Sequence, residues 1–149
     1  MPVSKAAMPL GKADIAGMLP HAGRMCLLDE VVRWDAATIR CRSRSHRDGD
    51  NPLRAGAGLP ALCGIEYAAQ AMAVHGRLCA AVRETPRAGY LASVSDVVCN
   101  AERLDDLEHE LVIDAERLAA DGERALYRFA LSSGGSEILS GKAAVVLSV

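Results

Sequence analysis

Two polar side chains, Glu66 and Gln70, interrupt the most apolar stretch of this 149-residue sequence. Being four residues apart, they fall one turn apart on one face of a helix. A carboxylic acid half-buried among Ile65, Tyr67 and Ala69 can give or take a proton. Just upstream, the backbone N–H groups of Ala61 and Leu62 come at the start of the helix, where unbonded donors stabilise negative charge developing on a carbonyl oxygen. An acid beside such a donor suits proton transfer next to a carbonyl. The same spacing has a plainer reading: Arg77 and Glu84 continue nearly the same stripe, and together the four residues would make a solvated helix edge.

Such chemistry also needs a base, and the sequence has four histidines. His75 lies nine residues beyond Glu66, about 180° around the helix, so it cannot share that site within one chain. His109 falls in a predicted strand and His21 in the N-terminal segment, where a structural hydrogen bond is expected of each. His46 is the candidate base. It ends a run of strict alternation, Thr38 to His46, that puts Ile39, Cys41, Ser43 and Ser45 on one face and Arg40, Arg42, Arg44 and His46 on the other. A bend or bulge must therefore turn His46 out of the arginine row to reach Glu66. That row has two readings: a docking surface for an acidic carrier protein or a phosphate, or a solvated strand face that protects a sheet edge.

The elements that position these groups follow from the pattern. Residues 1–12 read as a loose lead-in, and a short helix is expected from Ala13 to Leu19, before Pro20. Cys26 to Val32 suggests a strand. Residues 47–59 are dense in turn formers. Pro60 opens one long helix that runs to about Arg83, apolar nearly all round and closed by Thr85-Pro86. After it come strands at about 89–100, 107–118, 125–131 and 138–149, with turn signals at Asp121-Gly122 and Gly134-Gly135. Strands before and after one buried helix make an α+β fold, one antiparallel sheet curled on one helix, as a single domain over 1–149.

Composition bounds the rest. Half the residues are hydrophobic and the net charge is −2, so a packed core is expected, not disorder. Aromatics number only five, which leaves the core to Ala, Leu and Val. Five widely spaced cysteines lack a C-x-x-C pair and read as buried thiols of a reducing compartment, with no zinc site or disulfide framework. There is no basic excess for nucleic acid and no apolar run of export or membrane-spanning length, so a cytoplasmic protein is expected.

Two motifs carry a family resemblance. Leu19-Pro20-His21 with Met25-Cys26-Leu27-Leu28-Asp29-Glu30-Val31 resembles the L-P-H…L-L-D-R-V opening of the hotdog-fold 3-hydroxyacyl-acyl-carrier-protein dehydratases. Pro60 to Ala71 resembles that family's P-G-V-L-x-x-E-A-x-A-Q-A helix start, and the likeness extends over about residues 13–149. The resemblance implies a long helix wrapped by an antiparallel sheet, a homodimer or a heterodimer with another hotdog subunit, and an active site at the interface. There a histidine of one chain and the acid of the other act on a thioester. The substrate would ride on the phosphopantetheine of acyl carrier protein or on coenzyme A, with no metal or redox cofactor. Glu66 matches the catalytic acid, Gln70 its helical neighbour at the substrate site, and the Ala61 N–H the donor to the thioester carbonyl. The family's G-H-F-P-G loop, home of its histidine, is replaced here by Asn51-Pro52-Leu53-Arg54-Ala55-Gly56-Ala57-Gly58. Three functions follow: a dehydratase or hydratase with His46 as base, a weak or inactive partner subunit of a complete dehydratase, or an acyl-thioesterase in which Glu66 activates water.

Overall fold

Alternating apolar residues need a second layer to cover them, and the one long apolar helix supplies it. The structure, a computed structural model, describes residues 9–19, 25–56, 58–80 and 89–147. Its elements are β1 (Leu10–Gly11), α1 (Lys12–Ala16), β2 (Glu30–Trp34), β3 (Thr38–Ser43), α2 (Gly64–Cys79), β4 (Gly89–Cys99), β5 (Leu111–Ala120), β6 (Arg124–Ser133) and β7 (Ser136–Leu147). Short 3₁₀ turns at Ser45–Arg47 and Ala61–Cys63 precede the loop and α2. The strands form one antiparallel sheet in the order β1-β2-β3-β5-β6-β7-β4.

The alternation predicted for the strands decides which face meets α2. Ile39 and Cys41 of β3, Leu111, Ile113 and Ala115 of β5, and Tyr127, Phe129 and Leu131 of β6 are all buried. From α2 they receive Tyr67, Ala68, Ala71, Met72 and Val74 in one core. Small residues set the distance between the layers: a Cβ at Gly64 would lie 2.8 Å from Leu131 Cδ2 and 2.9 Å from Leu139 Cδ2. At that separation α2 starts almost on the sheet, and the core needs few rings.

Several boundaries move. The first predicted strand begins only at Glu30, because the backbone of residues 26–28 is held by side chains instead of a neighbouring strand. β3 stops at Ser43, where the chain bends into the 3₁₀ turn containing His46. The strand expected from Leu107 begins at Leu111, which leaves His109 exposed in the preceding loop with its ring against Gly134. Gly134 and Gly135 take positive φ of 60° and 84°, the conformation their hairpin requires. The long helix is shorter than the predicted run to about Arg83: it ends at Cys79, because Ala80 turns to an extended conformation. His21 and Thr85-Pro86 lie outside the described residues. Among the described residues no helix is long and apolar enough to cross a membrane.

Candidate functional site

The N-terminal half of α2 is tied to the rest of the protein through residues 25–29, an extended segment outside the sheet. Its backbone groups must find partners elsewhere, since burying them unbonded would cost about 1–3 kcal/mol each. Gln70 supplies two. Its Oε1 accepts from the Leu27 N–H at 2.9 Å, and its Nε2 donates to the Met25 carbonyl at 2.6 Å. The same Nε2 donates to Glu66 Oε2 at 3.4 Å. On the outer side, Lys12 Nζ donates to the Cys26 and Leu28 carbonyls at 2.9 and 3.3 Å, and the Asp29 N–H donates to the Arg42 carbonyl at 3.0 Å. Gln70, expected at the substrate, thus spends its amide on positioning the segment and the carboxyl group.

The Leu27 carbonyl faces a second group of polar residues. It accepts from Ser43 Oγ at 2.5 Å and from Ser45 Oγ at 2.8 Å. Ser45 Oγ lies 2.7 Å from the Tyr67 hydroxyl, and Asn51 Nδ2 donates to that hydroxyl at 3.0 Å and to the Ser45 carbonyl at 2.8 Å. All four residues are buried. Desolvation pushes the Tyr67 phenol up, with the Ser45 and Asn51 hydrogen bonds opposing it. Tyr67, Ser45 and Asn51 were not singled out from the sequence. Two signals were available: serines on the apolar face of β3, and a tyrosine where the quoted helix motif has alanine.

Two of the expected groups are otherwise engaged. The Ala61 N–H donates to the Glu102 carbonyl at 3.0 Å, part of a short ladder in which Leu104 N–H also meets the Leu59 carbonyl at 2.8 Å. The expectation that Ala61 is the free donor is therefore corrected: the chain crosses residues 102–104 before the helix begins and uses that N–H there. Asp105 fixes the ladder, its Oδ1 accepting from the Leu59 N–H at 2.8 Å, and the Arg103 guanidinium beside it holds the carboxyl well below the usual range. Among the described residues the next N–H, that of Leu62, meets no acceptor, and Leu62 is 56% exposed.

His46 does leave the arginine row, by the bend that strict alternation called for. The bend carries the imidazole inward, where it is fully buried. Nε2 must donate, because its partner is the Leu107 carbonyl, 3.1 Å away, and Nδ1 then carries a lone pair with no hydrogen-bond partner. Burial pushes its pKa down, with the Leu107 and His109 backbone opposing. Among the described residues no hydrogen bond or ion pair joins it to Glu66. A surface already covered within one chain stays covered when a partner docks, so Nδ1 reaches a substrate only if the turn opens.

The arginine row resolves into a cross-strand charge ladder. Arg40 makes a bidentate pair with Asp114 at 2.7 and 3.0 Å, Arg42 bridges Glu30 and Glu110, and Arg44 lies 3.9 Å from Glu110. An acidic partner would have to displace these carboxylates. At the far end of α2, His75 is fully buried; its Nε2 donates to the Asp35 carbonyl at 2.8 Å and its Nδ1 accepts from the Tyr127 hydroxyl at 2.8 Å. Burial lowers the His75 pKa and raises that of Tyr127 to about 12.

The sequence from residue 13 to residue 148 matches the family described as ApeP-like, ApeP dehydratase. The chain belongs to the ApeP-like dehydratase family. This agrees with the family resemblance carried by the two motifs. The ApeP-like chain is also similar to a structure of the dehydratase heterocomplex ApeI:P from Xenorhabdus doucetiae, at 25% identity over 91% of each chain and a TM-score of 0.81. Two thioesterases share the hotdog fold alone. One, from Pseudomonas aeruginosa, is 10% identical over 95% of this chain and 96% of its own, with a TM-score of 0.67. The other, from Haemophilus influenzae, is 8% identical over 96% and 94%, with a TM-score of 0.66. No curated protein matches the ApeP-like sequence.

Proposed function

We propose that this chain is the acid-bearing subunit of a two-subunit hotdog dehydratase acting on 3-hydroxyacyl thioesters carried by acyl carrier protein. One observation carries the reading: Glu66 is half-buried and held by Gln70, while His46 is buried against the Leu107 carbonyl and, among the described residues, makes no hydrogen bond to Glu66. In this reading Glu66 is the acid, and the base is supplied by a histidine of the partner subunit. Likeness to a chain of a dehydratase heterocomplex supports pairing with a second, different subunit.

The surface has room for such a partner. Among the described residues no strand pairs with the far edge of β4, and Leu91, Val97 and Val98 on it are 40, 38 and 51% exposed. A long exposed edge with apolar side chains invites another strand. Ile65, Ala69, Ala73 and Gly76 add a half-buried stripe along α2 on the side adjoining Glu66.

In the reaction the base removes the proton α to the thioester carbonyl while the Leu62 N–H bonds the enolate-like oxygen. Glu66 gives its proton to the departing hydroxyl, so the C–O bond breaks as the double bond forms and water leaves. Electrons balance within the substrate, and the step calls for no redox cofactor. The five cysteines, free thiols in the structure, suit the cytoplasm as its setting.

The test is to assay enoyl-thioester formation by the isolated chain and by its mixture with a histidine-bearing hotdog subunit. The expected result is negligible turnover alone, turnover on mixing, and loss of it with Glu66→Gln. Robust dehydration by the isolated chain that disappears with His46→Ala would overturn the proposal and restore His46 as the base. Release of free acid without enoyl product would instead mark a thioesterase.

A further inference from the structure

Hydrogen bonds lead without a break from the loop that replaces the family's histidine segment to the carboxyl group of Glu66, and each donor can be assigned. Asn51 Nδ2 donates to the Tyr67 hydroxyl at 3.0 Å, and that hydroxyl then donates to Ser45 Oγ at 2.7 Å. Ser45 donates to the Leu27 carbonyl at 2.8 Å. The Leu27 N–H donates to Gln70 Oε1 at 2.9 Å, and Gln70 Nε2 donates to Glu66 Oε2. No hydroxyl on this route is asked to donate twice; with Ser43 and Ser45 both donating to Leu27, the 2.9 Å contact between their own hydroxyls is the one left without a proton.

We propose that Tyr67 is a positioning residue for Glu66, fixing through Ser45, Leu27 and Gln70 which carboxyl oxygen carries the acidic proton. This rests on Glu66 being the general acid. In a carboxylic acid the carbonyl oxygen accepts an amide N–H more strongly than the hydroxyl oxygen does, so the Gln70 contact favours Oε2 as the acceptor. The transferable proton is thereby placed on Oε1, which meets no protein donor among the described residues. Gln70 can hold that geometry only if its other contacts, Met25 and Leu27, stay put. Leu27 is held from the opposite side by Ser43 and by Ser45, and Ser45 takes its orientation from the Tyr67 hydroxyl. Tyr67 is fully buried, so its hydroxyl is shielded from bulk water.

The experiment compares Tyr67→Phe with Tyr127→Phe, each assayed in complex with a histidine-bearing hotdog subunit. Both variants delete one buried hydroxyl that contacts or anchors α2, one at each end. The expected result for Tyr67→Phe is a kcat loss on the order of tenfold with KM within twofold, as for a displaced catalytic group. Tyr127→Phe, with a similar loss of Tm, keeps kcat. A double variant of Tyr67→Phe with Gln70→Ala should lose no more kcat than Gln70→Ala alone, since both act on one contact. Ser45→Ala removes the same link without touching α2 and reads out identically if Tyr67→Phe does not fold. Unchanged kcat in Tyr67→Phe or Ser45→Ala, or losses that multiply in the double variant, overturn the proposal. Full activity in Glu66→Gln overturns the general-acid reading beneath it, a separate outcome.

Discussion

The two ends of α2 solve one physical problem in different ways. At each end a buried aromatic side chain carries a polar atom that needs a partner, and each end ties the helix to backbone carbonyls. Around His75 the bonds turn back on the same segment: Nε2 ends on the Asp35 carbonyl, Nδ1 receives the Tyr127 hydroxyl, and the neighbouring Cys79 thiol, 3.4 Å from Nε2, faces the Asp35 and Ala36 carbonyls. Around Tyr67 they continue, through Ser45 and Leu27 to Gln70 and on to a carboxyl group that is only half-buried. A closed cluster anchors, whereas a cluster that ends on a half-exposed acid can also do chemistry. The difference teaches that burial of polar groups does not by itself mark a site; the place where the network opens does.

The comparison breaks most sharply at Glu66. Replacing it with glutamine should lower turnover of the two-subunit enzyme by a factor on the order of 10² or more, the usual contribution of a general acid, while Tm stays within a degree or two of wild type. Rate assays alongside thermal melts check both halves. At the opposite end His75→Leu should leave kcat intact but destabilise the fold by about 2–3 kcal/mol, since the Tyr127 hydroxyl and Asp35 carbonyl lose their shared partner; urea unfolding measures it.

Between these lies Gly64, where α2 first meets the sheet. Alanine there must push against Leu131 and Leu139, and a loss of about 1–3 kcal/mol is expected. Because Glu66 is two residues away, a fall in kcat should accompany the loss of stability, which an equally destabilising change near His75 would not cause.

Acid should act on both ends. His46 and His75 are buried with folded-state pKa values below the ordinary 6.5, so at intermediate pH the unfolded chain binds protons that the folded chain does not. Stability is complete above about 6.5 and declines as the pH falls through that value toward the folded pKa values. Urea midpoints measured from pH 8 to 5 should drop, and the drop should shrink in His75→Leu. The smallest effect belongs to the outer charge ladder: Arg40→Ala should cost about 1 kcal/mol or less, because its pair with Asp114 is more than one-third exposed.

Much of this was written into local sequence. The alternation in β3, β5 and β6 needs only a period of two, and the apolar character of Gly64–Cys79 needs only a helix with a sheet against it. Glu66 and Gln70 were legible for the same reason: their spacing is a property of one helix and their motif is contiguous. The family resemblance rests on such contiguous residues too. Tyr67 was visible as a large residue among small ones, but its partners lie 16 and 22 positions away, and no periodicity relates a helix to a loop.

What the fold alone decided concerns groups whose fate depends on distant backbone. The Ala61 N–H looked free because helix starts leave donors unbonded, yet the Glu102 carbonyl, 41 residues later, takes it. The arginines of β3 looked like a basic surface until Glu30, Glu110 and Asp114 arrived from β2, from the loop before β5 and from β5. His46 needed a bend, and the bend exists, but its direction was set by the Leu107 carbonyl, 61 positions away. Sequence by itself determined the residue types, the periods and the acid on its helix. Tertiary structure decided which donors and acceptors were already spent, because a hydrogen bond between distant segments follows from their three-dimensional register and leaves no periodic trace in either one.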